Sequence, residues 1–64
     1  MITVNGSVSD YLEESVATLI TRMNIDHRGI AVALNGEVVL RARWAETSIS
    51  DGDVVEIVTA AAGG

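Results

Sequence analysis

The chain contains stretches in which apolar and polar side chains alternate, and these precede and follow one stretch with the spacing of a helix. Residues 1–4, 30–34 and 54–59 alternate in this way, and residues 37–40 form a shorter apolar run. Alternation with a period of two places one set of side chains on each face of a strand. We therefore predict strands at these four places, with the larger side chains of residues 30–34 facing the core and the two alanines facing outward.

Residues 16–23 have the spacing of a helix. Their apolar side chains recur at every third or fourth position and form one stripe, which predicts a helix packed on the core through Val16, Leu19, Ile20 and Met23. Ser15 is placed to cap its start, because its hydroxyl can accept a hydrogen bond from a free first-turn amide. Asn24 is placed to end it, since asparagine tolerates the left-handed conformation common after helices.

Two Asn-Gly pairs, at residues 5–6 and 35–36, predict two-residue hairpin turns. The first turn leads into a short strand within residues 7–12, whose apolar candidates are Val8 and Leu12; the sequence leaves its pairing open. The second turn joins residues 30–34 to residues 37–40.

Residues 41–46 show neither alternation nor a helical stripe, and we interpret them as a connection with a short helical turn. Trp44, the only tryptophan, is predicted to anchor this segment against the core. The alternative is that Trp44 faces a partner protein, because exposed tryptophan is enriched at binding hot spots.

The composition narrows the possible functions. A chain of 64 residues makes one domain, and its 48% hydrophobic content is typical of a globular protein. It has no cysteine, which excludes disulfides and sulfur held on a thiol of its own. The net charge of −5 argues against nucleic acid and for a protein partner with a basic docking face.

The sequence gives no sign of a metal site or of export. His27 is the only histidine, and we predict that it is an exposed loop residue. No signal peptide or membrane-spanning run is apparent, so we predict a cytoplasmic location.

The order of the predicted elements is strand, strand, helix, strand, strand, short turn, strand, which fits an α+β architecture. We predict a β-grasp, or ubiquitin-like, fold in which a mixed sheet of four to five strands packs on one helix. The last strand should pair beside the first, in the middle of the sheet. The whole chain, residues 1–64, forms this single domain, with residues 60–64 as a flexible functional tail.

The tail ends in two glycines, and the thin, flexible tip Ala62, Gly63 and Gly64 is suited to threading into a narrow slot of another protein. From Ala60 to Gly64 an extended chain spans roughly 17 Å. The alternative is an inert, frayed end, as small-residue termini often are.

Several motifs occur in an order that resembles the ThiS-type sulfur carrier proteins of thiamine biosynthesis, a ubiquitin-like family. They are Val4-Asn5-Gly6, the stretch 32–39, Arg41 with Trp44, Asp51-Gly52-Asp53 with 55–57, and Ala62-Gly63-Gly64. The resemblance covers almost the whole chain. Leu40 stands where the family often has proline, and residues 7–12 are short and atypical for the family.

The resemblance implies that the protein is a co-substrate, not an enzyme, with no catalytic residue, metal or bound cofactor of its own. A ThiF-type, E1-like enzyme would use ATP and Mg²⁺ to adenylate Gly64. Sulfur from a cysteine desulfurase or rhodanese-like persulfide would then give a thiocarboxylate, which a ThiG-type thiazole synthase consumes. A carrier that must expose its tail is expected to be a monomer when alone.

The outward face of the last strand, with Val54, Glu56 and Val58, is a candidate docking face beside Ala31 and Ala33. The alternative is ordinary scattered surface residues.

Three other functions stay open. They are a sulfur carrier for molybdopterin or cysteine synthesis, a ubiquitin-like protein modifier joined through Gly64, and a plain interaction module with an inert tail.

Overall fold

Five strands form one mixed sheet that covers one α-helix in the computed structural model, which describes residues 1–59. The elements in chain order are β1 (Ile2–Val4), β2 (Ser7–Ser9), α1 (Val16–Arg22), β3 (Ile30–Leu34), β4 (Glu37–Val39), a 3₁₀-helix (Arg41–Glu46) and β5 (Val54–Thr59). This is the predicted α+β architecture, and the β-grasp fold is confirmed. Residues 60–64, predicted to form the tail, lie outside the described part of the chain.

Both Asn-Gly pairs form hairpin turns, as predicted. Asn5 and Gly6 have φ of 51° and 84°, and Asn35 and Gly36 have φ of 51° and 86°. Positive φ at both central residues is the type I′ conformation, which matches the twist of paired strands. The turns join β1 to β2 and β3 to β4 in antiparallel pairs.

The structure settles the pairing of residues 7–12. Ser7 lies opposite Val4 and Ser9 lies opposite Ile2, so β2 turns its two serines toward the core face. Val8 therefore points outward and is 68% exposed, and Leu12 follows the strand and is also exposed. Neither apolar candidate contributes to the core.

The helix begins where the sequence predicted and ends one residue earlier, at Arg22. The Ser15 hydroxyl oxygen accepts a hydrogen bond from the amide of Thr18 at 3.2 Å. After the helix, Asn24 has φ of 57° and its amide donates to the Thr21 carbonyl at 3.0 Å. The next amide, that of Ile25, donates to the carbonyl of Ile20 at 3.2 Å. These two bonds form a Schellman motif.

The prediction that Met23 lies in the core is wrong. Met23 is the residue just after the last helical turn and is 40% exposed. Because the Schellman turn reverses the chain at Asn24, Ile25 packs against the core after that turn. The other three members of the helical stripe are buried.

The sheet order is β2-β1-β5-β3-β4, so β5 lies in the centre. It runs parallel to β1 and antiparallel to β3. The predicted pairing of the last strand beside the first is confirmed.

Nine apolar residues from both layers form the core: Ile2, Val4, Val16, Leu19, Ile20, Val32, Trp44, Ile49 and Val55. Trp44 is only 6% exposed and its indole N–H donates to the carbonyl of Val39 at 3.0 Å. The guanidinium of Arg41 lies 5.9 Å from the centre of the Trp44 ring. The core interpretation of Trp44 is therefore confirmed, and the partner-facing alternative is wrong.

The apolar run predicted over residues 37–40 is one residue shorter as a strand. β4 ends at Val39, and Leu40 instead precedes the 3₁₀-helix with its side chain exposed. Within residues 1–59, no helix is long and apolar enough to cross a membrane.

Candidate functional site

The central strand β5 is the element that leads to the predicted tail. It pairs with β3 over five of its six residues, from Val55 opposite Leu34 to Thr59 opposite Ile30. Thr59 is also the last residue that the structure describes. The predicted tail residues Ala62, Gly63 and Gly64 lie outside the described residues, so their role stays a prediction.

Both hairpin asparagines bind β5 through their side chains. The Oδ1 atom of Asn5 accepts from the amide of Ile57 at 2.7 Å, and the Oδ1 atom of Asn35 accepts from the amide of Val54 at 2.9 Å. The side-chain amide of Asn35 also donates to Asp53 at 3.0 Å. The asparagines thus have two tasks, because each turns a hairpin and each satisfies a backbone donor of β5.

Sequence reasoning identified these asparagines only as turn residues. Their contacts with β5 join positions 52 and 19 residues apart in the chain. A local turn pattern carries no signal for contacts at such separations.

The candidate docking residues Val54, Glu56 and Val58 share the outward face of β5, as the alternation predicted. All three are exposed, and Val58 is 59% exposed. Across the ladder, Ala31 lies opposite Val58 and Ala33 lies opposite Glu56, as predicted for neighbours on one face. The structure places these residues together, and their use in docking stays a prediction.

On the β3 side of β5, one further valine joins this face. Val38 of β4 lies opposite Ala33 and is 71% exposed. We call the surface formed by Ala31, Ala33, Val38, Val54, Glu56 and Val58 the outer patch. Sequence analysis missed Val38 because it assigned no face to residues 37–40. Val39 packs against the core, and successive side chains of a strand point to opposite faces, so Val38 must point outward.

Charge is distributed unevenly around the outer patch. The chain has no lysine, and its four arginines lie in or beside the two helices and in the loop before β3: Arg22, Arg28, Arg41 and Arg43. None of them is in a strand, whereas Glu56 lies within the outer patch. The patch is therefore apolar with a negative charge, which suits a partner surface with apolar and basic groups.

His27 is exposed, as predicted, in the loop between α1 and β3. Its two neighbours in the chain, Asp26 and Arg28, form an ion pair. The Asp26 carboxylate accepts hydrogen bonds from the side chain of Arg28 at 3.2 Å and from the Arg28 backbone amide at 3.0 Å. These hydrogen bonds lower the pKa of the Asp26 carboxyl below its ordinary value. In the described part of the chain, no group of three or more His, Cys, Asp or Glu is placed to hold a metal ion.

Comparison with known proteins identifies the family of this chain. The family model described as "ThiS family" matches residues 2–64. A curated sulfur carrier protein ThiS from Thermus thermophilus is 31% identical over 64 residues, which cover the full length of both chains.

A thiazole synthase from Paramagnetospirillum magneticum is also 31% identical over 64 residues. These cover 98% of this chain but only 20% of the length of that enzyme, so a segment like this whole chain occurs within a longer polypeptide.

Two solved structures have the same fold. The crystal structure of a thiamine biosynthesis protein (ThiS) from Geobacter metallireducens superposes with a TM-score of 0.82 at 36% identity, covering 98% of this chain and 97% of that one. A solution NMR structure of a thiamine biosynthesis protein from the same organism gives a TM-score of 0.75 at 33% identity, with coverage of 98% and 86%.

Proposed function

This chain belongs to the ThiS family of sulfur carriers in thiamine biosynthesis, and we propose that it carries the sulfur as a thiocarboxylate on Gly64. The observation that supports Gly64 is the position of β5. Thr59 is fixed by its pairing with Ile30 in the centre of the sheet, and the five residues after it extend at most about 17 Å. Gly64 is therefore within reach of a partner that docks on the sheet beside β5.

The chemistry requires activation, because a carboxylate with an ordinary pKa of about 3.5 is an anion at neutral pH and a poor electrophile. We propose that the Gly64 carboxylate attacks the α-phosphorus of ATP and releases pyrophosphate. A persulfide sulfur then attacks the acyl carbon and AMP leaves, which gives an acyl disulfide. A second thiol reduces the sulfur–sulfur bond, and the sulfur stays on Gly64 as a thiocarboxylate.

In this scheme the protein is a co-substrate and its partners supply the catalysis. ATP and Mg²⁺ belong to a ThiF-type adenylating enzyme, and the persulfide belongs to a cysteine desulfurase or rhodanese-like donor. The chain contains no cysteine, so it has no thiol that could compete with Gly64 for the sulfur.

Thiazole synthase is the proposed acceptor of the sulfur. The thiazole synthase of Paramagnetospirillum magneticum contains a segment that matches this chain over 98% of its residues, which supports direct cooperation of the two activities.

We propose that the outer patch is the docking face. It lies on the strand that leads to Gly64, and Val54 and Val58 expose apolar surface there. Burial of such surface favours association by about 25 cal/mol per Å² of apolar area removed from water. Glu56 would select a basic partner, because complementary charge raises the association rate.

Intact-protein mass spectrometry tests the chemistry at Gly64. The chain is incubated with its adenylating enzyme, ATP, Mg²⁺ and a persulfide donor. The expected result is a mass increase equal to the replacement of one oxygen by sulfur, located at Gly64 by fragmentation. An unchanged mass would contradict the carrier chemistry. Gly64 in an isopeptide bond to another protein would also contradict it and would establish a protein modifier.

Two variants sharpen this experiment. Deletion of Gly63 and Gly64 should abolish sulfur uptake. The Ala60→Ser variant changes the same tail but keeps its length and its terminal glycines, and it should accept sulfur as the wild type does. Equal uptake by the deletion variant would show that the sulfur is attached elsewhere.

A further inference from the structure

One edge of β5 is only half covered. On the β1 side, the strand pairing includes Val54 and Val55 and then stops, because the chain turns away at Asn5. On the other side, β3 continues to pair as far as Thr59. The last residues of β5 are thus held in extended conformation from one side only.

The hydrogen bonds define which backbone groups face the half-covered edge. The carbonyl of Val55 accepts from the amide of Asn5 at 2.9 Å, and the amide of Ile57 donates to Oδ1 of Asn5 at 2.7 Å. The backbone groups of successive residues in a strand point to opposite edges. The backbone N–H and C=O groups of Val55, Ile57 and Thr59 therefore all point toward the β1 side.

Two groups on this edge are available for a partner. Among residues 1–59, nothing binds the carbonyl of Ile57 or the amide of Thr59, whereas Asn5 satisfies the amide of Ile57. An acceptor followed two residues later by a donor is the pattern that an added strand requires. Because pairing with β3 already holds Thr59 in extended conformation, this chain would lose little conformational entropy when a partner binds there.

We propose that an extended backbone segment of thiazole synthase pairs with this open edge at Ile57 and Thr59, along the line on which β1 ends. The inference rests on the proposed function. Any enzyme that acts on Gly64 must approach within about 17 Å of Thr59, which brings its surface next to this edge. Asn5 is a positioning residue, because it ends β1 and caps the Ile57 amide, and so determines where the added segment begins.

A second copy of this chain is the less favoured occupant. Pairing two β5 edges would place both tails at the interface and restrict the access of an enzyme to Gly64. The match of this chain to a segment of a thiazole synthase instead supports that enzyme as the neighbour of β5.

The Thr59→Pro variant tests the proposal, because proline lacks the amide that faces the open edge. The substitution removes no bond to β3, since the Thr59 amide points away from it. We expect binding to thiazole synthase to weaken by roughly five- to tenfold, the effect of losing one hydrogen bond. Binding at wild-type affinity by the folded variant would overturn the proposal while leaving sulfur transfer at Gly64 intact.

Val8→Pro is the matched control. Val8 lies on the same outward face of the sheet but in β2, which β1 separates from β5, and it pairs with Thr3. In a two-residue hairpin the closing pair, Val4 with Ser7, exchanges hydrogen bonds, so the next pair does not and the Val8 amide points to solvent. This variant also loses one outward amide at an edge, and it should bind thiazole synthase as the wild type does. Equal weakening by both variants would overturn the proposal.

Amide hydrogen exchange of the wild-type chain gives a test that needs no variant. On addition of thiazole synthase, exchange at Thr59 should slow by at least about tenfold, while Ile57, which is already capped, should change little. Unchanged exchange at Thr59 in a formed complex would overturn the inference alone. Slow exchange at Thr59 together with a doubled mass of the isolated chain would assign the edge to self-association and also overturn it. If the wild type neither binds thiazole synthase nor takes up sulfur, the proposed function fails as well.

Discussion

The side-chain oxygen of Asn5 accepts a hydrogen bond from the amide of Ile57 at 2.7 Å, across 52 positions of the chain. The backbone amide of the same asparagine donates to the carbonyl of Val55 at 2.9 Å. Asn5 therefore supplies two successive hydrogen bonds to β5, one from its backbone and one from its side chain. It connects the first hairpin to the strand that leads to Gly64.

Substitution of Asn5 should reveal both of its roles. Asn5→Ala removes the acceptor for the Ile57 amide and places alanine at φ of 51°, where asparagine is better tolerated. We expect a loss of about 2 kcal/mol in the free energy of unfolding, measured by urea denaturation. Exchange of the Ile57 amide should accelerate by more than the global loss of stability explains.

Two further variants separate the roles. Asn5→Asp keeps a side-chain oxygen and tolerance of positive φ, so its stability should stay close to that of the wild type. Asn5→Gly keeps only the tolerance of positive φ, and its free energy of unfolding should lie between those of the aspartate and alanine variants. A wild-type exchange rate at Ile57 in the glycine variant would contradict the role of the side chain.

Trp44→Ala should remove a large part of the protein's stability. The indole is buried and its N–H bonds to Val39, and truncation of a buried tryptophan costs about 3–5 kcal/mol. A domain of 64 residues has a total stability of roughly 3–10 kcal/mol. Urea denaturation followed by circular dichroism should therefore show a free energy of unfolding lower than that of the wild type by about 3–5 kcal/mol.

Trp44→Phe tests which part of the indole matters. Phenylalanine keeps most of the apolar volume but loses the donor to the Val39 carbonyl, so we expect a folded protein destabilised by about 1–3 kcal/mol. Equal stability of the alanine and phenylalanine variants would show that burial of the ring contributes little.

The ion pair of Asp26 and Arg28 should give a small pH dependence at acid pH. Hydrogen bonds from Arg28 lower the pKa of the Asp26 carboxyl from its ordinary value of 3.8. A pKa that is lowered in the folded state stabilises the folded protein at pH values above the ordinary pKa. This contribution is lost as the pH falls through the lowered pKa of the folded state. Because the pair is exposed, the effect on stability should be small.

Carboxyl NMR titration measures this directly. The Asp26 resonance should titrate below pH 3.8 in the wild type and return toward that value in Arg28→Gln. A titration of Asp26 that does not respond to the loss of Arg28 would contradict this assignment.

Reversal of the charge of Glu56 should slow association with thiazole synthase. Glu56→Lys changes the net charge from −5 to −3, since one negative charge becomes positive, and it does so within the outer patch. We expect the association rate at low salt to fall by about tenfold, and the difference should shrink as ionic strength rises.

Glu46→Lys is the control for net charge. It makes the same change from −5 to −3, but Glu46 lies at the end of the 3₁₀-helix, outside the outer patch. Its association rate should stay near that of the wild type, as measured by stopped-flow or surface plasmon resonance. Equal slowing by both variants would show that overall charge, and not the outer patch, steers the encounter.

Local patterns predicted the turns and the helix because their causes are local. An Asn-Gly pair needs only its own backbone preference to form a type I′ turn, and Ser15 needs only the amide of Thr18 to cap α1. The two faces of β5 also followed from alternation alone. These features account for the predicted architecture of the sheet and the helix.

The remaining features depend on tertiary contacts. Ile49 is buried between two exposed serines, and no period in its surroundings marks it as a core residue. Val8 is the apolar residue of β2 but points outward, because the register of the first hairpin turns Ser7 and Ser9 inward. Met23 fits the helical period, but the helix ends before that period can bury it.

The parallel pairing of β1 with β5 and the antiparallel pairing with β3 also determine how the fold bears mechanical load. A pull on the residues after Thr59 acts along β5, at right angles to its bonds with β3. The load is then shared by all the bonds of this ladder as shear, instead of opening them one at a time from an end. We therefore expect the domain to stay folded when the proposed tail is drawn into the narrow channel of an enzyme.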